Sequence, residues 1–422
     1  MPDRMVNWAG NVEFSAVRLH RPRTVGELQD VVASNARVHA LGTGHSFSTV
    51  ADSPGALVSL AGIPPRIRTA ADGGSATVSA GIQYADLARH LHAAGLALRN
   101  LASLPHISVA GACATGTHGS GDTVGGLATA VRAVQLVTAA GGITVLDRDA
   151  DAEHFCGAIV GLGALGVVTE LTLDVVPAFD LRQYVYLDLP ASMLATHFDE
   201  IFASAYSVSV FTDWQGSSHR QLWLKCRADQ PDRQAPAQRW MGARLAGAPA
   251  HPVPGMPASS CTQQLGVPGP WFERLPHFRS GSTPSSGEEL QSEYLIPRSR
   301  AVDALDLIAS LRTRIRPVLQ ISEIRTVAPD DLWLSPCYRR PTVGLHFTWI
   351  KDPSAVAPVI ALVEEKLAPL GARPHWGKLF TIPAETVRSS YERSADFQSL
   401  LRRVDPAGKF RNDFIDRYFP AQ

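Results

Sequence analysis

The feature that most limits what this chain can fold into is a pair of segments with almost no bulky side chains. The first, Leu41-Gly42-Thr43-Gly44-His45-Ser46, runs straight out of a short strand pattern at Arg37 to Leu41. The second spans Ser103-Leu104-Pro105-His106-Ile107-Ser108-Val109-Ala110-Gly111 and continues through Ala114-Thr115-Gly116-Thr117-His118-Gly119-Ser120-Gly121. Backbone N–H groups in such loops stand clear of side-chain bulk, the geometry that binds phosphate oxygens. Two of them in one small domain suit a pyrophosphate gripped from both sides. Two tight loops made of small residues would read the same way.

Around these segments, the first 176 residues alternate strand and helix signals. Val12 to Leu19 reads as a strand. Thr24 then opens a helix, with Glu27 three residues on in a capping-box pattern and Val25, Leu28, Val31 and Val32 on one face. Ala76 to Ala80 reads as a strand, and Tyr84, Leu87, Ala88 and Leu91 form the apolar face of a helix closed by Gly95. Strands follow at Ala133 to Thr138 and Ile143 to Leu146, then a helix at Asp151 to Val160 and a strand at Val167 to Val175. Composition shifts after Pro177. Gln183 to Leu189 alternates as a half-buried antiparallel strand does, while Arg227 to Pro270, rich in Pro, Ala and Gly, reads as a long surface excursion. Strands resume at Leu319 to Val327 and Val343 to Trp349, and a helix covers Ala357 to Leu367. The pattern is α+β.

A chain of 422 residues calls for two or three domains. Its 39 Lys and Arg balance 39 Asp and Glu, so no net field favours nucleic acid or an acidic membrane surface. Five scattered cysteines without CxxC spacing read as free thiols in a reducing compartment. No signal peptide is evident in Met1 to Asn11, and no stretch is apolar for long enough to span a membrane, so the expected location is cytoplasmic.

Two motifs point elsewhere and fail on context. Gly161-Leu162-Gly163-Ala164-Leu165-Gly166 fits GxGxxG, but a helix pattern precedes it and a strand follows, the reverse of a dinucleotide fingerprint. It reads as a tight helix-to-strand turn. Gly44-His45-Ser46-Phe47-Ser48 lacks the last glycine of a nucleophile elbow, and no helix begins after it, which leaves a serine hydrolase using Ser46 as the reading from another class. The 14 histidines include no HExxH and no convincing ligand spacing, so no metal is expected.

Gly42-Thr43-Gly44-His45-Ser46-Phe47 resembles the covalent flavin loop of the vanillyl-alcohol-oxidase superfamily, and Ser103 to Gly121 resembles its second flavin-contacting segment. Ser322-Glu323-Ile324-Arg325-Thr326-Val327, Gly344-Leu345-His346-Phe347-Thr348-Trp349 and Trp376-Gly377-Lys378 are similar to substrate-site segments of the alditol oxidase branch. Asp405 to Asp413 is similar to the tail that returns to the flavin domain. The resemblance implies a two-domain FAD-binding fold. Residues 1–177 and a C-terminal segment, 376–422, would hold FAD, and 178–375 would form an antiparallel-sheet substrate domain. It also implies FAD bonded to His45 through the flavin C8 methyl carbon. The other implied flavin contacts are Gly42, Thr43, Gly44 and Ser46; Ser103, Ser108, Gly111, Ala114, Thr115, Gly116, His118 and Gly119; and Val168 and Asn412.

The implied reaction removes hydride from the terminal carbinol of a small polyol such as xylitol or sorbitol to flavin N5, with O2 reduced to H2O2. Glu323 and Arg325, two apart on a strand, share one face and would bind the polyol, Glu323 accepting from hydroxyls and Arg325 donating. Lys378 is a second donor, and Ser103 contacts ring or substrate. His346 is the candidate to take the hydroxyl proton, with Lys378 the rival if burial lowers its pKa. Aldonolactone oxidation or a dehydrogenase of the same superfamily is the alternative, although Glu323, Arg325 and His346 together favour alditols. A protein that stores flavin without turnover is a third reading. A monomer is expected.

Overall fold

The computed structural model describes residues 5–230, 237–282 and 287–421. Three larger sheets organise them, beside a two-stranded pairing of Leu96–Ala97 with Val176–Pro177. A small parallel sheet joins Arg18–His20, Ala56–Val58 and Val38–Ala40. An antiparallel sheet of five strands follows in the order Ile67–Thr69, Ser75–Ser79, Val167–Asp174, Val131–Val137, Ile143–Asp147. The third is antiparallel, with ten strands drawn from between Asp180 and Pro374. At its centre lie Ser207–Thr212, Leu319–Val327, Thr342–Ile350 and Glu289–Pro297, side by side in that order.

Most of the elements follow from local chemistry. The helix Val25–Ser34 is capped by Thr24, whose Oγ1 accepts from Glu27 N at 3.1 Å. The return arm of the capping box is displaced by one residue, since Glu27 accepts from Arg23 N. Gly95, at φ +73°, closes the helix Tyr84–Ala93 in the left-handed region expected of it. The Gly161–Gly166 stretch is a turn between Ala152–Ala158 and the strand Val167–Asp174. Gly163 there has φ +76°, and a side chain on it would strike the His39 ring.

Four expectations are corrected. Val12 to Leu19 forms a strand only at Arg18–His20, because residues before it meet little more than an isolated bridge between Val6 and Glu13. Ser108 is followed by a helix, Val109–Ala114, and not by continued loop, as the run Val-Ala-Gly-Ala-Cys-Ala allows. The helix read at Ala357 begins at Pro353, where Asp352 accepts from Ser354 N and Ala355 N and proline suits the first helical position. The Arg227 to Pro270 excursion, of which 231–236 lie outside the described residues, is partly sheet. Arg239–Trp240, Ala243–Leu245 and Gly269–Pro270 extend the large sheet, and Val253 and Cys261 are buried with Trp223 and Phe278.

The last helices, Ala384–Ser390, Ser394–Val404 and Asp413–Tyr418, share one apolar core with the first half of the chain, where Phe397, Leu401 and Ile415 meet Leu87, Phe155 and Val160. Val38 N donates to Lys409 O at 2.9 Å. Asn412 caps the final helix by accepting from Ile415 N at 2.8 Å, and its amide donates to Val50 O and Asp52 O at 3.0 and 2.8 Å. Each of these buried bonds contributes about 1 kcal/mol, and leaving the carbonyls unpaired costs more. Asn412→Ala is therefore expected to lower unfolding stability by roughly 2–4 kcal/mol in denaturant melts, with the ligand spectrum of the folded protein unchanged. A shifted spectrum with unchanged stability would contradict this structural role.

Candidate active site

A single cavity takes in both small-residue segments and the middle of the large sheet. Gly42, Thr43, Gly44, His45 and Ser46 all line it. Among the described residues, none of their five peptide N–H groups makes a hydrogen bond to the protein. The loop is instead held from its flanks. Trp8 N donates to Gly44 O at 2.8 Å, Phe47 N to Gly377 O at 2.7 Å, and Ser48 Oγ to Trp376 O at 2.7 Å. A side chain on Gly42 or Gly111 would come within 2.5 or 2.7 Å of Ser108 Oγ, so the two segments meet around that serine. Unpaired N–H donors beside a cradle that a Cβ would fill are what a pyrophosphate requires, and these residues fit FAD.

The ring of His45 lies 5.0 Å from that of Trp8 and 5.1 Å from that of His106. Burial, with His106 beside it, pushes its pKa down to about 4. The imidazole is thus neutral and keeps a nucleophilic lone pair at pH 7.

Of the other residues expected at a flavin, Ser103, Ser108, Gly111, Ala114, Thr115, His118 and Val168 also line the cavity. Three do not. Gly116 turns the chain at φ +69° and faces Pro336 and Val160. Gly119 packs against the Asn100 side chain and the Leu101 carbonyl, where no Cβ fits. Asn412 is occupied by its cap and its two carbonyls. At all three positions the chain's own packing accounts for the residue.

On the sheet side, strand register does the assembling. Glu323, His346 and Glu293 face one another across three adjacent strands. In the next row Gly344 separates Arg325 from Leu295, and a side chain there would crowd Glu293 Oε1 at 3.1 Å. Glu293 is the hub. It accepts from Arg325 Nη2 at 2.7 Å and from Lys378 Nζ at 2.6 Å, and His118 Nε2 lies 3.3 Å away. Burial raises its carboxyl, but Lys378, Arg325 and His118 outweigh that and hold it well below the usual carboxylate range. Glu323 is likewise raised by burial and lowered further by Arg325 and His277. Arg325 Nη1 also reaches Ser103 Oγ at 3.4 Å, tying the sheet to the second small-residue segment.

Lys378 donates a further bond to His346 Nδ1 at 2.7 Å, and His346 Nε2 faces Thr348 Oγ1 at 3.1 Å. Both ring nitrogens of His346 are therefore engaged, which qualifies its expected role as a direct proton acceptor. Burial and then Lys378 bring its pKa to about 4, and burial likewise lowers that of Lys378. Glu293, His277 and Lys225 escaped the sequence reading. The available signal was Gln291 and Glu293, two apart on one face of a strand pattern running from Leu290 to Ile296.

His219, His277 and His346 are each held near 4 by burial. The unfolded chain, with histidines near 6.5, binds more protons in the interval between, so stability falls as pH drops from about 6.5 to 4. Asp330, raised to about 6 by burial, and Glu364, also raised by burial, work in the opposite direction but are outnumbered by the lowered histidines, His39, His45 and His375 included. The expected outcome is a melting temperature that declines steadily over that interval. A flat profile between pH 6.5 and 4 would contradict neutral burial of these rings.

Comparison with known proteins adds an independent line. A family model described as FAD binding domain matches residues 18–147, and one described as D-arabinono-1,4-lactone oxidase matches residues 288–418. Alditol oxidase from a Streptomyces species is 53% identical over 419 residues, covering 98% of this chain and 99% of the relative. L-gulono-1,4-lactone dehydrogenase from Mycobacterium tuberculosis is 29% identical, over 97% of this chain and 98% of the relative. Among solved structures, cholesterol oxidase from B. sterolicum superposes with a TM-score of 0.79 at 13% identity, over 99% of this chain and 96% of that one, a likeness of fold alone.

Proposed function

The chain belongs to the vanillyl-alcohol-oxidase family of FAD-dependent flavoprotein oxidases, and from that premise we propose that it oxidises the terminal hydroxyl of a small alditol to the aldose. The observation that carries this reading is that Glu323, Arg325, His346 and Lys378, a set matched to hydroxyl oxygens, open onto the same cavity as the unpaired N–H groups of residues 42–46. FAD, when bound, supplies the hydride acceptor and passes the electrons to O2, giving H2O2.

The rest is the work of the chain. Residues 42–46, Ser108 and Gly111 hold the pyrophosphate, and His45 holds the flavin covalently at its C8 methyl carbon. We assign residues 1–177 with 376–422 to the flavin-holding part and 178–375 to the part that covers it. Glu323 accepts from substrate hydroxyls while Arg325 donates to the oxygen at the oxidised carbon. Glu293 keeps the two cations in place. Lys378 and His346 act as a pair. In its neutral form, which burial favours, Lys378 Nζ takes the hydroxyl proton on its lone pair while one of its N–H groups, held by His346 Nδ1, keeps it in place. The polar set also discriminates against deoxy substrates, whose binding leaves buried groups unpaired.

One observation favours a second reading, oxidation of an aldonolactone: the lactone oxidase model matches residues 288–418, which contain Glu293, Glu323 and His346. Peroxide release from xylitol and sorbitol, set against L-gulono- and D-arabinono-lactone, decides between them. The alditols are expected to be turned over with the higher kcat/KM, and preference for a lactone would overturn the assignment. Lys378→Met is expected to lower kcat by about 10²–10⁴-fold with flavin still bound. Acid-precipitated protein on a denaturing gel should fluoresce at the chain's own band and lose that signal in His45→Ala. Fluorescence surviving in the variant would remove the covalent role of His45.

A further inference from the structure

Beside Glu323 lies a buried pair that the reaction as described leaves unused. Lys225, on the strand Ser218–Arg227, is 1% exposed, and no carboxylate pairs with it directly among the described residues. Its ammonium donates instead to the carbonyls of Leu275 and Pro276 and, at 3.1 Å, to His277 Nδ1. His277 Nε2 lies 2.8 Å from Glu323 Oε1. The His277 ring is gripped edge-on by Phe211 and Trp223, at centroid distances of 5.4 and 5.3 Å, and its peptide N–H reaches Ser103 O at 3.3 Å. Burying a lysine is costly, and an apolar side chain of similar length would fill the same space at less expense.

The two ends of this chain fix the proton in the middle. An ammonium only donates and an ionised carboxylate only accepts, so His277 Nδ1 carries the lone pair and Nε2 the hydrogen. With Oε1 taking that hydrogen and Arg325 Nε standing 3.6 Å from the same oxygen, Glu323 Oε2 makes no hydrogen bond among the described residues. Glu323 lines the cavity, and so does His277.

We propose that Lys225 and His277 are positioning residues that hold Glu323 with its Oε2 turned to a substrate hydroxyl, Lys225 acting by fixing the tautomer of His277. The inference rests on the functional reading above, in which Glu323 accepts from an alditol. Burial brings His277 to about 4, with Lys225 pushing the same way and Glu323 opposing, and it brings Lys225 to about 7 against the pull of Glu323 and Cys261. The ring is neutral at pH 7, as a one-proton relay needs.

The test uses the flavin-loaded enzyme. Lys225→Met is expected to raise KM for xylitol by about ten-fold, the scale of one charge-assisted hydrogen bond, with kcat within about two-fold. His277→Leu should behave alike, whereas His277→Gln, whose amide can accept from Lys225 and donate to Glu323, should restore most of the binding. Introduced into Glu323→Gln, Lys225→Met should add nothing, because residues acting through one another are not additive. Equal losses in both backgrounds, or no rescue by glutamine, would reduce Lys225 to a packing residue and overturn the proposal. Should Lys225→Met fail to fold, nitrogen-15 spectra of the wild-type histidines, with His277 assigned from His277→Gln, decide it: Nε2–H supports the relay and Nδ1–H refutes it. A wild type that turns over no alditol sinks the functional reading instead, and those spectra still judge the relay.

Discussion

Glu293 lies almost out of reach of water, between the guanidinium of Arg325 and the ammonium of Lys378. Two cations brought together without it would repel one another in a medium that screens poorly, and each would carry its own desolvation cost. With the carboxylate between them they become a fixed donor pair lining the cavity. The geometry of the pair is inherited from the sheet. Glu293 stands opposite His346, His346 opposite Glu323, and a missing side chain at Gly344 leaves the gap across which Arg325 reaches. A one-residue slip of any of the three strands would send its polar groups to the opposite face, where the helices pack.

That dependence on register explains what could and could not be read from the sequence. Glu323 and Arg325 were legible because they alternate within one strand, and strand periodicity is a local property. Their partners were not, because Glu293 and His277 come from segments whose alignment with Leu319–Val327 appears only when the sheet is assembled. The small-residue segments were legible as ligand loops, yet the helix Val109–Ala114 inside the second was hidden by the same small residues. At Asn412 the sequence is ambiguous for a chemical reason: capping a helix and binding a cofactor ask for the same short amide. Gly116 and Gly119 show how a glycine required by a neighbouring backbone looks in sequence like a glycine required by a ligand.

The fold's elements follow the same division. Helix starts at Thr24 and Asp352 are set by residues within one turn of them, and the first was readable to the residue. Strands such as Ser207–Thr212 and Glu289–Pro297 are buried on both faces, so the polar residues that alternate along them, Ser207 with Ser209 and Gln291 with Glu293, do not mark a solvent side. Charge adds a further reason. Glu289, Glu293 and Lys225 are buried at positions where composition alone argues for the surface.

The two ends of the chain are stitched together around residues 38–52. Phe47 and Ser48 bond to Gly377 and Trp376, Val38 bonds to Lys409, and Asn412 holds the carbonyls of Val50 and Asp52. A chain ending before Trp376 would therefore present residues 42–46 without the two carbonyls that hold Phe47 and Ser48.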